Sequence, residues 1–436
     1  MVRDSQDGLA WDDSGLVLKP RWTRKPSLEA IEGVCRRQLG IHPEDTCTVS
    51  FYASGAFNRL YLVSTANPSL MRVSLPVHPH LKTRGEVATL QWVRDNTDVP
   101  VPKVIAFQDN NDNEIGFEWV LMELMPGSPA YRRWRTMSME QKVAFTERLA
   151  GFQAQLSRCG DPDTAFRKIG TLDADFVEKE KAAIGMPKTF APGQVVSHEF
   201  FMGDRLHYDV PRGPFRSSHD WLSSGLRLLL LEQTAALERA EDEDDREDAE
   251  ENLHAAQELL SILPKIFPEI QDSPELTAIW HDDLNLNNIL VDDEGNITAV
   301  VDWECVSALP IWMATKMPKF LEGGGRQEEP KREDYSDETP QGSSASENDG
   351  CEDDLDNEGK NQLYWIHMME YEVTRLQEVY DTKLRQLWPD RPVEDSHLRV
   401  DFFEAILHCS AGFCLKQIET WVDSIGRGEL LRWADI

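Results

Sequence analysis

Between Trp280 and Glu304 the chain reads WHDDLNLNNILVDDEGNITAVVDWE, and three oxygen-bearing side chains in it are spaced for joint chemistry: Asp283, Asn288 and Asp302. A polar, acid-rich loop from His281 to Asn288 runs into an apolar triplet, Ile289 to Val291. An Asp-Glu-Gly-Asn turn, a second apolar run from Ile297 to Val301 and Asp302 follow. This order predicts a loop, a hairpin and a carboxylate where the second strand ends. Because a tight turn returns the chain to its starting point, the two carboxylates and the amide converge at one end of a short ribbon. Such a cluster suits a divalent cation and a proton acceptor. The competing reading is a polar hairpin whose acids are merely solvated.

The spacing His-x-Asp-Leu-x-x-x-Asn, followed by a hairpin and Asp, resembles the catalytic and metal-binding segments of the protein-kinase-like fold. With no Arg after His281, and with Asp302-Trp303-Glu304 where protein kinases have Asp-Phe-Gly, it is similar to the aminoglycoside phosphotransferase family, particularly its fungal members. The resemblance implies that Asp283 accepts or orients the proton of a substrate hydroxyl, and that Asn288 and Asp302 hold Mg2+ on the phosphates of ATP. It further implies a small-molecule acceptor, with His281 bracing the loop, Asp282 adding negative charge and Glu304 meeting the acceptor or supporting the site.

The elements that must position these groups begin with a helix that opens at Ser27 and closes at Gly40. Strand-like runs follow: CTVSF, the small-residue loop Tyr52 to Asn58, RLYLVS and LMRVSLP. In the last of these, Met71, Val73 and Leu75 alternate with Arg72, which therefore points to the opposite face. A helix from about Lys82 to Asn96 carries Glu86, two strands (PVPKVIAF and GFEWVLMEL) come next, and Pro126-Gly127 breaks the run. Five strands and one helix in this order match the small lobe of the kinase-like fold. The expectation is an α+β, two-lobed protein-kinase-like fold with a small five-stranded N-lobe and a mostly helical C-lobe. Its divisions are an N-terminal extension (1–26), the N-lobe (27–125) and the C-lobe (126–436) containing the catalytic loop (280–304). By the same resemblance, Ser54 and Gly55 lie in the phosphate loop, Arg72 steadies phosphates and pairs with Glu86, and Met122 and Glu123 begin the hinge that runs to Gly127. Arg72 stands where protein kinases carry Lys; it supplies a permanent cation that can grip phosphate oxygens bidentately. The alternative for this pair is a plain surface or inter-element salt bridge.

Beyond the hinge the pattern is helical: about 138–159, a hairpin over Trp221 to Phe267 around the acidic stretch Glu241 to Glu251, a helix after Pro310, and helices over about 362–388 and 396–425. Arg212 and Arg216 fit either salt bridges with the acidic surface or the docking of an anionic group. From Gly323 to about Asn361 apolar residues nearly vanish, so a disordered acidic insertion (323–361) is expected.

At 436 residues the chain can bury a sizeable core in two lobes. A formal net charge of -32 disfavours nucleic acid and anionic membranes as partners. Seven scattered cysteines without a CxxC pair read as reduced thiols, and with neither a signal-peptide core nor a membrane-length apolar run the cytoplasm is expected. No long activation segment closed by Ala-Pro-Glu follows Glu304, which disfavours a protein kinase. The favoured activity is ATP-dependent phosphoryl transfer to a small-molecule alcohol. Arg72 and the single-glycine loop motivate an alternative, a catalytically weak or inactive pseudokinase acting as a nucleotide-binding scaffold; a third reading is an interaction protein working through the acidic segment.

Overall fold

The N-terminal residues, expected as an extension, form a hairpin on the small lobe. Leu9–Asp12 (β1) pairs with Lys19–Trp22 (β2), the Trp22 ring lies 5.0 Å from that of Phe117, and Arg59 stacks on Trp22 at 4.6 Å. The computed structural model describes residues 5–15, 18–157, 166–175, 189–270, 274–336, 361–389, 391, 396–429 and 431–436. Helix α1 (Leu28–Leu39) begins where the Ser27 hydroxyl accepts from the Ala30 amide and ends at Gly40, whose left-handed φ of 64° suits a residue without Cβ.

Alternation then builds a five-stranded antiparallel sheet from Thr48–Ser54 (β3), Asn58–Ser64 (β4), Ser69–Ser74 (β5), Val104–Gln108 (β6) and Glu118–Glu123 (β7), in the order β3-β4-β5-β7-β6. Met71, Val73 and Leu75 pack with Ile31 and Val34 of α1 on one face. The other face turns Arg72 toward helix α2 (Leu81–Asn96), which lies between β5 and β6 in the chain.

After the hinge, Ser128–Pro129 (β8) joins the Ile289–Val291 (β12) and Ile297–Val300 (β13) hairpin as a third strand. Between them run α3 (Ala130–Trp134), α4 (Met139–Leu156), β9 (Gly170–Ala174), β10 (Phe190–Pro192), α5 (His198–Phe201), α6 (Ser218–Arg239), α7 (Glu243–Ile266) and β11 (Thr277–Trp280). The acidic stretch opens the second arm of the helical hairpin: the Asp242 carboxylate caps α7, and Glu243, Asp244 and Asp245 occupy its first turn, exposed to solvent, where the helix dipole favours negative charge.

Three expectations change here. The stretch after Pro310 is not one helix but two 3-10 turns, Met313–Thr315 and Lys319–Leu321, and the residues before it form a strand, Ser307–Pro310 (β14), in a sheet ordered β10-β9-β14-β11. The last apolar run is two helices, α9 (Ser396–Ser410) and α10 (Leu415–Gly426), after α8 (Gln362–Leu387). Gly412 at φ 71° and Cys414 at φ 58° turn the chain between α9 and α10. Of the segment expected to be disordered, residues 323–336 lie along α8: Gln377 donates to the Gly323 carbonyl at 3.0 Å, the Gly325 amide donates to Thr374 Oγ1 at 2.9 Å, and Tyr335 Oη lies 2.6 Å from His367 Nδ1. Residues 337–360 of that segment lie outside the described residues.

The small lobe has its own core, and the β12–β13 hairpin shares a second with α4 and α8. The apolar faces of α6, α7, α9 and α10 enclose a third. No helix among the described residues is long and apolar enough to cross a membrane.

Candidate active site

Two short sheets hold the loop from His281 to Asn288. Strand β11 delivers the chain to His281, and its antiparallel partner β14, with Trp280 opposite Ser307, takes it up again just after Cys305. On the other side Ile289 pairs with Val300 and the Val301 amide donates to the Asn288 carbonyl at 2.9 Å, so Asn288 and Asp302 flank the open end of the hairpin. His281 is buried: its Nε2 lies 3.1 Å from the Val301 carbonyl and its ring meets Trp303 edge-on at 5.0 Å. Trp303 in turn donates through Nε1 to the Val300 carbonyl at 2.9 Å. This buried pair sets the path of the chain at Asp302, whose φ of 66° is unusual for a residue other than glycine.

Asp283 is the best-furnished acceptor in the loop. The Asn288 amide donates to its Oδ2 at 2.9 Å, the Asn285 amide to its Oδ1 at 3.0 Å, and Lys319 Nζ lies 2.9 Å from Oδ1. Burial alone would raise the Asp283 pKa; the Lys319 and Asn285 hydrogen bonds outweigh it and hold the carboxyl below its ordinary value. Because Asn288 spends its N–H groups on Asp283, its carbonyl oxygen is the atom left to act as a ligand.

Above the loop, Arg72 ties the lobes together. Its Nη1 lies 2.7 Å from Glu86, and its Nη2 lies 2.8 Å from both Asp302 and Glu304. The Arg72 and Glu86 side chains are only 7% and 2% exposed, so their pair is a buried inter-element salt bridge between β5 and α2 and not a surface one. Burial alone would lower the Arg72 pKa, but Glu86, Glu304 and Asp302 reverse that and keep the guanidinium charged. Glu304 also takes Lys82 Nζ at 2.5 Å and the Asn58 amide at 2.8 Å. Burial alone would raise its pKa; Lys82 and Arg72 instead hold its carboxyl well below the usual range.

The lobes enclose a cleft of about 640 Å³. Gly55, Arg72, Glu86, Met122, Glu123, Asp283, Asn288 and Asp302 all line it, together with apolar Leu60, Leu70, Leu90 and Leu290. Ser54 does not join them: it is exposed and opposite Arg59, while its neighbours Tyr52, Ala53, Gly55 and Ala56 line the cleft. A Cβ built on Gly55 would meet nothing within 4 Å, so this stretch of loop is open toward a ligand. The hinge is fixed from below, where Thr298 Oγ1 donates to the Pro126 carbonyl at 2.6 Å.

Asn288 and Asp302 offer one amide oxygen and one carboxylate, a hard and sparse donor set that fits Mg2+, which keeps waters and phosphate oxygens in its shell. No group of three or more His, Cys, Asp or Glu residues able to hold a metal by itself occurs among the described residues. Sequence reasoning missed Lys82 and Lys319 as parts of the site, because each reaches it from a distant segment with no local motif. It also offered two roles for Arg212, and the structure gives a third: the guanidinium donates to the Phe200, Arg205 and Tyr208 carbonyls at 2.7, 2.5 and 3.2 Å, organising a loop.

Among curated proteins, a subtelomeric hrmA-associated cluster protein of Aspergillus fumigatus is 26% identical over 320 residues, 64% of this chain. The chain spans 61% of that relative's length. A putative aminoglycoside phosphotransferase from Ralstonia eutropha is similar in structure at 14% identity and a TM-score of 0.43, over 92% of this chain and 91% of that one. The streptomycin–ATP ternary complex of APH(2")-IIa is similar at 11% identity and a TM-score of 0.43, over 94% and 97%. The profile of the phosphotransferase enzyme family (APH) matches residues 48–313, from the first strand of the five-stranded sheet to the turn after β14. With more than half of its length in that match, spanning the five-stranded sheet and the β12–β13 hairpin, the chain belongs to the phosphotransferase enzyme family.

Proposed function

We propose that this protein transfers the γ-phosphoryl group of ATP to a hydroxyl of a small molecule. The observation that carries the reading is the convergence of Asp283, Asn288 and Asp302 in one cleft whose roof is the ion-paired Arg72. The apolar walls from both lobes and the hinge around Met122 and Glu123 form the slot for the nucleotide base. Mg2+, held by Asn288 and Asp302, would neutralise charge on the nucleotide phosphates. Asp283, kept ionised by its donors, orients the acceptor hydroxyl and receives its proton. Arg72, pinned by Glu86, Glu304 and Asp302, sets the angle at which Asp302 faces the phosphates.

A second cavity of about 280 Å³ opens beside the first and shares Asp282, Cys305 and Lys319 with it. Trp221, Trp280 and Phe403 form apolar walls, and Glu199 and Glu404 add carboxylates. Its size admits a compact hydroxylated acceptor, and its place puts that acceptor's hydroxyl against the catalytic loop. The reaction is assigned to the cytoplasm, where the unpaired thiols of Cys35, Cys47, Cys305, Cys409 and Cys414 stay reduced.

A nucleotide-binding pseudokinase has one observation in its favour, the commitment of both Arg72 Nη atoms to carboxylates. Calorimetric titration with Mg-ATP, paired with a phosphorylation screen of sugars, amino alcohols and aminoglycosides, decides between them. Asp283→Asn should keep most nucleotide binding while transfer falls by about 10²-fold or more. Asp302→Ala should lose metal-dependent binding. Small, equal effects of both substitutions on binding and on transfer would sink the phosphotransferase reading.

A further inference from the structure

The cleft has an uneven charge inventory. Among its described lining residues stand six carboxylates (Glu86, Glu123, Asp282, Asp283, Asp302 and Glu304) against two permanent cations, Arg72 and Lys319. A triphosphate entering this lining meets a field of its own sign, so each cation able to face it matters. Arg72 is committed, one Nη to Glu86 and the other to Asp302 and Glu304. Lys82 is buried on Glu304 and Asn58 and does not line the cleft.

Lys319 differs on each count. Its side chain is 52% exposed and its Nζ touches Asp283, the acceptor's proposed proton partner, at 2.9 Å. It lines both cavities, and of the residues common to the two it is the one cation. Its base is fixed: the Phe320 amide donates to the Leu284 carbonyl at 3.1 Å, and the Phe320 ring packs 5.6 Å from that of Phe145. The backbone is thus tied to the catalytic loop while four flexible methylenes carry the ammonium.

We propose that Lys319 is a catalytic residue which contacts the transferring phosphoryl group at the opening between the nucleotide cleft and the acceptor cavity. An ammonium has three donors, so Lys319 can keep Asp283 in place with one and meet a γ-phosphate oxygen with another. During transfer the acceptor oxygen bonds to the γ-phosphorus and its proton passes to Asp283. The bond from that phosphorus to the bridging oxygen breaks, and its electron pair leaves with ADP. Charge on the phosphoryl oxygens meets the Lys319 ammonium throughout.

The inference rests on the phosphotransferase reading, and the test separates the two. The full chain, Lys319→Met and Lys319→Arg are titrated calorimetrically with Mg-ATP and with Mg-ADP, with melting curves as the folding control. The Met variant should bind Mg-ATP about tenfold more weakly while Mg-ADP stays within about twofold, because only ATP carries the group Lys319 contacts. The Arg variant should retain most of the ATP preference. If the Met variant does not fold, Lys319→Gln carries the same comparison. An unchanged ratio of ATP to ADP affinity in a folded variant overturns the role of Lys319, including the case where only the acceptor's KM moves. Absence of Mg-ATP binding by the unaltered chain would sink the parent reading along with it.

Discussion

Arg72 does more than its place in the sequence implies. A Lys there could reach one partner as a point charge, whereas the forked guanidinium spans Glu86 on one side and Asp302 with Glu304 on the other. The choice of Arg therefore matches a site in which one cation must gather three acids drawn from α2 and from the turn after β13. Arg72→Ala leaves Glu86 buried without its cation and should destabilise the protein by about 3–5 kcal/mol. Arg72→Lys should recover part of that, since it keeps the charge but not the fork. Denaturant unfolding of the two variants measures this, read as a shift in midpoint at unchanged slope. A full-stability Ala variant that has lost only nucleotide affinity would instead make Arg72 a phosphate ligand with no structural duty.

In the hinge, four residues after β7 ends, Gly127 is held close against the β12–β13 hairpin. Its φ is 101°, and a Cβ built on it would meet Thr298 Oγ1 at 2.5 Å and the Val291 carbonyl oxygen at 2.7 Å. Gly127→Ala should therefore push the hinge off the β12–β13 hairpin, lowering the melting temperature by several degrees and weakening nucleotide binding. Thermal melts with and without Mg-ATP check both effects; an unchanged melt would mean the hairpin gives way freely. The local part of this scaffold was legible in the sequence. Alternation gave β3, β4, β5 and β7, the Ser27 and Gly40 caps gave α1, and the hairpin around the Asp-Glu-Gly-Asn turn gave β12 and β13. What was not legible was long-range. Strands β9, β10, β11 and β14 are short and find partners far away in the chain, so their pairing left no local pattern to read. Lys82 and Lys319 reach the site from outside the motif. Ser54 falls outside the cleft lining that its neighbours Ala53 and Gly55 form, and nothing in the loop's sequence sets it apart from them.

Over the whole molecule, the formal charge of -32 and the acid-rich segment after Gly323 invite the view that this part of the chain is a separate appendage. The contacts divide it. Residues 323–336 are tied to α8 through Gln377, Thr374 and His367. Helix α8 is itself fixed to α4 by the buried Lys142–Glu372 pair at 2.6 Å and by apolar residues Leu376, Tyr380 and Leu384 of the core that holds the β12–β13 hairpin. The 3-10 turn carrying Lys319 immediately precedes this strip, and Gln377 also donates to the Leu321 carbonyl at 2.8 Å. The strip is thus the outer edge of the active-site wall, whereas the composition of residues 337–360 offers almost no apolar surface to bury. Replacing residues 337–360 by Gly and Ser at equal length should leave the melting temperature unchanged within about 1–2 °C. Extending the replacement back to Gly323 should lower it by several degrees and, by loosening the turn at Lys319–Leu321, reduce Mg-ATP affinity as well. A matched pair of melts and titrations on the two variants tests this; equal behaviour of the short and the long replacement would return the strip to the status of an appendage.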